Sequence, residues 1–248
     1  MRWWLFALAG CGRIGFDATT SDALVTSTGD SALMVAPCPI GTTAPDPLTV
    51  SGFAFRATTG IHQPGVAVAA MTSASGTPIA TATTDLLGNF SLAVPTGGVP
   101  IAAYFSLTKT GFLTSVSVPD QPLDHAVSML AGFMGMQADV DGLYSAGGTT
   151  QDTTKGTLFV TVEDCGGTTI AGATIATTPA SKIVYSSGIL PSGSATATGS
   201  SGYAWALNVP VGSVQLTATA PGRTFSPHAV AILASSTSFM GTAIRPLP

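Results

Sequence analysis

The sequence predicts an all-β chain built as two successive β-sandwiches, and three observations lead there. Apolar residues make up 45% of the 248 positions but charged residues only 8%, about a third of the usual ~25%. Core material is therefore abundant, and the outward faces must be carried by Ser, Thr and Gly; Thr suits a pleated, half-exposed strand. The chain also carries 29 Gly and 17 Pro, spread along its length, which makes turns frequent and long helices unfavourable. Finally, a strand–turn–strand stretch from Thr83 to Gly97 has a second copy from Thr198 to Gly212.

Charge narrows the partners. A net charge of −4 with a pI near 5.0 argues against nucleic acid, since eight scattered Lys and Arg cannot line a groove able to neutralise several phosphates. The same scarcity makes a polybasic membrane patch implausible.

The N-terminus reads as an export segment. Met1 to Gly10 has one basic residue, a short apolar run and small residues before Cys11, the layout of a signal cut short of the usual ~15–30 residues. Leu8-Ala9-Gly10-Cys11 resembles the lipobox of bacterial lipoproteins, which implies lipidation of Cys11, a membrane contact through that lipid and a cell-envelope location. Gly12 follows in place of an acidic inner-membrane retention residue, which favours outer-membrane or surface delivery. With Cys11 lipidated, Cys38 and Cys165 remain. An oxidising compartment could join them; the alternative is two separate thiols. No CxxC pair is present, which excludes a zinc ribbon or a thioredoxin-like site.

Residues 11–47 are rich in Ser, Thr, Ala, Asp and Pro with no sustained period, and read as a flexible tether. The first repeat spans 48–122. It opens on Leu48 to Arg56, where Val50, Phe53 and Phe55 suggest a buried face shifted by a bulge at Gly52. Strands follow at Pro64 to Met71 and Ile79 to Thr84. The chain reverses at Asp85-Leu86-Leu87-Gly88, where Asp bonds the backbone ahead and Gly supplies positive φ. Phe90, Leu92 and Val94 then alternate with polar or small neighbours, and Val99 to Leu107 and Phe112 to Val118 complete the set.

Residues 123–155 read as a connector, helical or irregular. Met129, Leu130, Phe133, Met134 and Met136 fall at mixed spacing, and their run is too short to span a bilayer. The methionines suit gap-filling better than a copper site, and Asp139-Val140-Asp141-Gly142 lacks the ligands of a calcium loop and reads as a polar turn. The second repeat spans 156–248. Leu158, Val160 and Val162 share a face, Ile170 to Ile175 matches Gln63 to Val68, and Tyr203, Trp205 and Leu207 alternate as Phe90, Leu92 and Val94 do. Val214 to Ala218, Val230 to Leu233 and Phe239 to Ile244 close it.

Together these motifs resemble carboxypeptidase regulatory-like, transthyretin-like domains. The first repeat carries Pro64-Gly65-Val66, Thr84-Asp85 to Gly88-Asn89-Phe90, Val94-Pro95 to Gly97 and Gly111-Phe112. The second carries Ala171-Gly172-Ala173, Gly202-Tyr203, Val209-Pro210 to Gly212 and Pro221-Gly222, with Gly199-Ser200-Ser201 in place of the Asp turn and Arg223 after its last Gly. The resemblance implies two tandem Greek-key β-sandwiches serving as accessory or binding modules.

No catalytic pattern emerges. His62, His125 and His228 have no metal-ligand spacing, and there is no GxSxG. The Tyr and His pattern of an iron-holding dioxygenase is missing. Asp124-His125, Asp120 and Glu163-Asp164 make no convincing acid–base pair. The expectation is a non-enzymatic, cofactor-free, metal-free envelope protein with a structural or adhesive role against another envelope protein or a glycan. The alternative is a carbohydrate-binding accessory module of an extracellular hydrolase system, with Tyr203 and Trp205 as the stacking residues; a pocket joining His125 to an acid and a hydroxyl would instead indicate a small hydrolase.

Overall fold

The computed structural model describes residues 38–72, 77–186, 191–232 and 238–246. The chain is mostly β-sheet, with one helix among the described residues. The first half runs β1 (Leu48–Arg56), β2 (Ala67–Met71), β3 (Ala80–Thr83), β4 (Asn89–Val94), β5 (Tyr104–Thr108), β6 (Thr114–Val118) and β7 (Val127–Met134). Helix α1 (Gln137–Ala146) leads to β8 (Gly156–Val162), β9 (Thr174–Thr178), β10 (Lys182–Tyr185), β11 (Tyr203–Val209), β12 (Gly212–Thr219), β13 (His228–Ile232) and β14 (Ser238–Ile244).

One eight-stranded sheet runs through both halves in the order β10-β11-β8-β14-β6-β5-β2-β3. The joint is β14, parallel to β8 on one side and to β6 on the other. The remaining sheets, β4-β1-β7 and β13-β12-β9, cover opposite faces of it. Side-chain alternation along the strands produces this. On β5, Phe105 and Leu107 enter the first-half core with Leu48, Leu92 and Leu130, whereas Tyr104 joins Val116, Val118, Leu158 and Val160 in the second-half core. The first face continues past β6 into a third cluster, in which α1 places Val140, Leu143 and Tyr144 over Phe159, Trp205 and Leu207.

The two halves repeat each other bond for bond at one corner. Thr84 Oγ1 donates to Gln63 O at 2.7 Å and accepts from Val66 N at 2.8 Å. Thr198 Oγ1 donates to Ile170 O at 2.8 Å and accepts from Ala173 N at 2.9 Å. Gly88 and Gly202 then turn with φ of +79° and +69°, and their carbonyls accept from Ala54 N and Val162 N at 2.9 and 2.8 Å. A Cβ on Gly88 would sit 2.9 Å from His62 Cβ, and one on Gly202 2.5 Å from Val162 O, so both turns require glycine on two counts.

Three readings change. Residues 127–134, taken as connector, form β7, paired parallel with β1. Between Val50 and Gly52 the register advances three residues on β7 against two on β1; this bulge, with Met129 at φ 65°, erases the period-2 signal. The extra residue thus lies on β7 rather than at Gly52, and Gly52 serves a close approach, since a Cβ there would lie 2.0 Å from Leu130 O. Asp139, taken as part of a turn, lies in the first turn of α1 and accepts Met136 N at 2.8 Å. Finally, residues 38–47, taken as flexible tether, are fastened: Ala44 N donates to Gly98 O at 3.0 Å, Thr96 N to Asp46 Oδ1 at 3.0 Å and Thr96 Oγ1 to Pro45 O at 2.7 Å.

Candidate functional site: the seam between the halves

Strand direction assembles the seam. β6, β14 and β8 are parallel neighbours, so the residues just beyond their ends converge. Asp120 follows β6, Arg245 follows β14 and Glu163 follows β8. Arg245 Nη1 donates to Asp120 Oδ2 and its Nη2 to Glu163 Oε1, with all three side chains buried. One guanidinium thus joins a carboxylate from each half and closes the β14 joint. Two acids share one base in a buried site, and among the described residues no protein group hydrogen-bonds Glu163 Oε2 or Arg245 Nε. Burial pushes the Glu163 carboxyl up to about 7, against the pull of Arg245, with Asp120 and Asp164 adding to the rise.

Cys165 lies two residues beyond Glu163, at the same end. It is joined to Cys38 with S–S 2.10 Å and Cα–Cα 5.5 Å, closing a sequence separation of 127 residues. A loop of that length corresponds to roughly 4–5 kcal/mol in the chain-entropy description. The Cys11 lipidation site and the 1–10 signal lie outside the described residues.

Tyr203 and Trp205 are only 6% and 4% exposed, which removes them as a stacking platform. Their rings pack on Phe159 at centroid distances of 4.9 and 4.7 Å, beneath α1, and Phe159 packs in turn on Phe133 of the first half at 5.0 Å. The phase of β11 explains this. Counting from the matched glycines, Ala204 and Ala206 take the core places of Phe90 and Leu92, while Tyr203 and Trp205 take the outward places of Asn89 and Ser91. Val94's counterpart by this count is Asn208; a register irregularity between Ala206 and Val209, with Asn208 at φ 54°, gives the core place to Val209, one residue later. The outward face is aromatic in the second half because the helix covers it.

The remaining polar candidates are dispersed. His62 Nδ1 lies 2.7 Å from Leu87 O with its ring stacked on Phe53 at 5.1 Å. Asp124 bonds His125 and Gly41 N at the edge of the seam. Asp139 binds Arg56 at 2.8 Å; burial raises its carboxyl, but Arg56, Met136 N and Thr58 outweigh that and hold it below the usual range. Tyr144 and Thr157 hydroxyls meet at 2.8 Å under α1. Among the described residues no three His, Cys, Asp or Glu side chains converge as a metal site, and no helix is long and apolar enough to cross a membrane. Sequence reasoning missed Arg245, whose signal was a lone cation after the last apolar strand, and the Thr84/Thr198 pair, which precedes both turns.

No family model matches the chain, and no curated protein matches it. Among solved structures, 81% of it aligns with the Bacillus anthracis TIE protein at 13% identity and TM-score 0.29, covering 34% of that chain. Another 81% alignment is with the shaft pilin SpaA from Lactobacillus rhamnosus GG, at 12% identity and TM-score 0.24 over 97% of that chain. A streptococcal ancillary pilin aligns over 80% at 14% identity and TM-score 0.26, covering 61% of that chain. The chain therefore spans about a third of the TIE protein. Scores at this level do not place it in the fold of any of the three.

Proposed function

We propose that this chain is a non-catalytic cell-envelope protein, lipid-anchored at Cys11, that holds two transthyretin-like, Greek-key β-sandwiches as one rigid body for a structural or adhesive role. Its partner is another envelope protein or a glycan. The first sandwich takes in residues 48–134 and the second 156–248, with α1 as the brace between them. The observation that carries this reading is the β14 joint: one continuous sheet with a buried ion triad fuses the halves, as suits a spacer that must transmit force without bending. The disulfide adds to it, because Cys38 fixes the incoming chain to the seam itself, so a pull from the N-terminus is delivered to both halves at once. The motif resemblance and the shared threonine corner support the tandem reading.

The anchor is tested by metabolic labelling with a palmitate analogue in wild type and Cys11→Ala. Label is expected in the wild type only; equal label in both removes the lipid from the proposal. The absence of catalysis is tested separately, by assaying the purified chain against ester, peptide and glycoside substrates, where turnover lost in Asp124→Asn or His125→Ala would refute it.

A further inference from the structure

The two halves build the same pair of loops at the end of the sandwich where β1 or β8 finishes, and fill them differently. In the second half the positions are Thr168, Ser200 and Ser201. Their counterparts in the first half are Ile61, Leu86 and Leu87, which are 62%, 91% and 69% exposed. The backbone does not demand them. Gly88 and Gly202 close the two turns with the same bonds, from Gly88 N to Asp85 O and from Gly202 N to Gly199 O, each at 3.0 Å. Three bulky apolar side chains thus stand in water where the fold accepts hydroxyls, against the tendency of large apolar groups to avoid clustering in the open.

They form one tip. Arg56 N donates to Ile61 O at 2.9 Å, His62 Nδ1 reaches Leu87 O at 2.7 Å, and Asp85 Oδ1 accepts Leu87 N and Asn89 N at 2.9 and 2.8 Å, so the turn that carries the leucines is held from both sides. Gln63 Nε2 donates to Ile61 O at 3.0 Å, and its Oε1 accepts from Lys109 Nζ at 2.9 Å, which seats a cation beside the tip. Leu113 N donates to Gly135 O, so β6 begins at this end and runs away from it; the tip and the seam occupy opposite ends of the molecule.

We propose that this tip docks on a phospholipid bilayer surface, with Leu86, Leu87 and Ile61 entering the interfacial layer and Lys109 at headgroup level. Size and shape decide between a bilayer and a protein. A stable protein interface takes about 800 Å² on each side, about twice what three side chains of this size and exposure present. Lipid moulds to such a point and requires a depth of only about 5–10 Å. Charge does not oppose it: Arg56 and Lys155 at the tip end are paired with Asp139 and Asp152, Lys109 stands beside the tip on Gln63 Oε1, and Asp120 and Glu163 lie with Arg245 at the seam end. This docking goes beyond the Cys11 anchor and does not depend on it.

The test uses the full chain as Cys11→Ser, which carries no lipid, so its failure is distinct from failure of the anchor. Co-sedimentation is measured with phosphatidylcholine vesicles, with and without phosphatidylglycerol. The unlipidated chain is expected to sediment with vesicles. Adding Leu86→Ser and Leu87→Ser, which copies the second half's own turn, is expected to lower the bound fraction at least tenfold with an unchanged melting temperature. No sedimentation of the Cys11→Ser chain overturns the proposal. So does binding that survives both serines and is removed by salt alone, which would assign it to charge.

Discussion

Thr84 and Thr198 occupy the same place in the two halves, each hydroxyl spanning a carbonyl before β2 or β9 and an amide at that strand's start, with all bonds between 2.7 and 2.9 Å. Both side chains are buried. Replacing either by Val leaves the amide of Val66 or Ala173 without its side-chain acceptor, a loss on the order of 1–3 kcal/mol. Urea unfolding is expected to show similar costs for Thr84→Val and Thr198→Val and nearly wild-type stability for the serine variants. Similar stability for Val and Ser at either site would mean that the hydroxyl does not hold the corner.

The seam makes stability depend on pH in a stated direction. The Glu163 carboxyl titrates at about 7 in the folded chain against 4.5 in its ordinary state. The folded chain therefore keeps a proton that the unfolded chain has already lost. The stabilisation is full below about pH 4.5 and is lost as pH rises through about 7, to a limit on the order of 3 kcal/mol. Thermal unfolding across this range is expected to show the decline in wild type and a flatter profile in Glu163→Gln. Other carboxylates, Asp85 and Asp139 among them, are shifted down and oppose the trend only at the acid end. An unaltered profile in Glu163→Gln would show that the triad does not titrate as described.

Removing the base at the seam is a harsher change than neutralising the acid. Arg245→Met leaves two buried carboxyl groups from different strands facing each other, and breaking a buried pair in this way costs about 3–5 kcal/mol. Denaturation at pH 8 is expected to show that loss, with partial recovery when Glu163→Gln is added, because the second change removes one of the opposed charges. Two additive losses would contradict the shared-base geometry.

Trp205 is a structural ring. Its indole fills the space between β11 and α1 with Phe159 and Tyr203, so Trp205→Ala is expected to cost about 3–5 kcal/mol, the range for aromatic truncation in a core. Urea unfolding reads this directly. A loss below about 1 kcal/mol, accompanied by weakened glycan binding, would restore the stacking role.

Much of the all-β fold was legible because turn residues and period-2 runs are local. Phe90, Leu92 and Val94 announce β4 by alternation, and Asp85 with Gly88 announces its turn. What was not legible came from long-range geometry. β7 carries a bulge that breaks its alternation, and its partner β1 lies 77–78 positions earlier in the chain, so residues 127–134 look like connector. Tyr203 and Trp205 alternate as a core strand would, yet only the position of α1 decides which face of β11 is the sandwich core. The Arg245–Asp120–Glu163 cluster has no sequence signature, since its members meet only because β6, β14 and β8 are parallel neighbours. The sequence left Cys38 and Cys165 as either a bridge or two separate thiols, because their separation in space depends on the fold that joins them.

The most direct test of the fused body is calorimetric unfolding of the full chain at about pH 4.5, where the Glu163 contribution to the seam is still near its full value. With β14 shared between the halves, a single transition is expected, with equal calorimetric and van't Hoff enthalpies. Two resolved transitions, one for each half, would contradict the fusion.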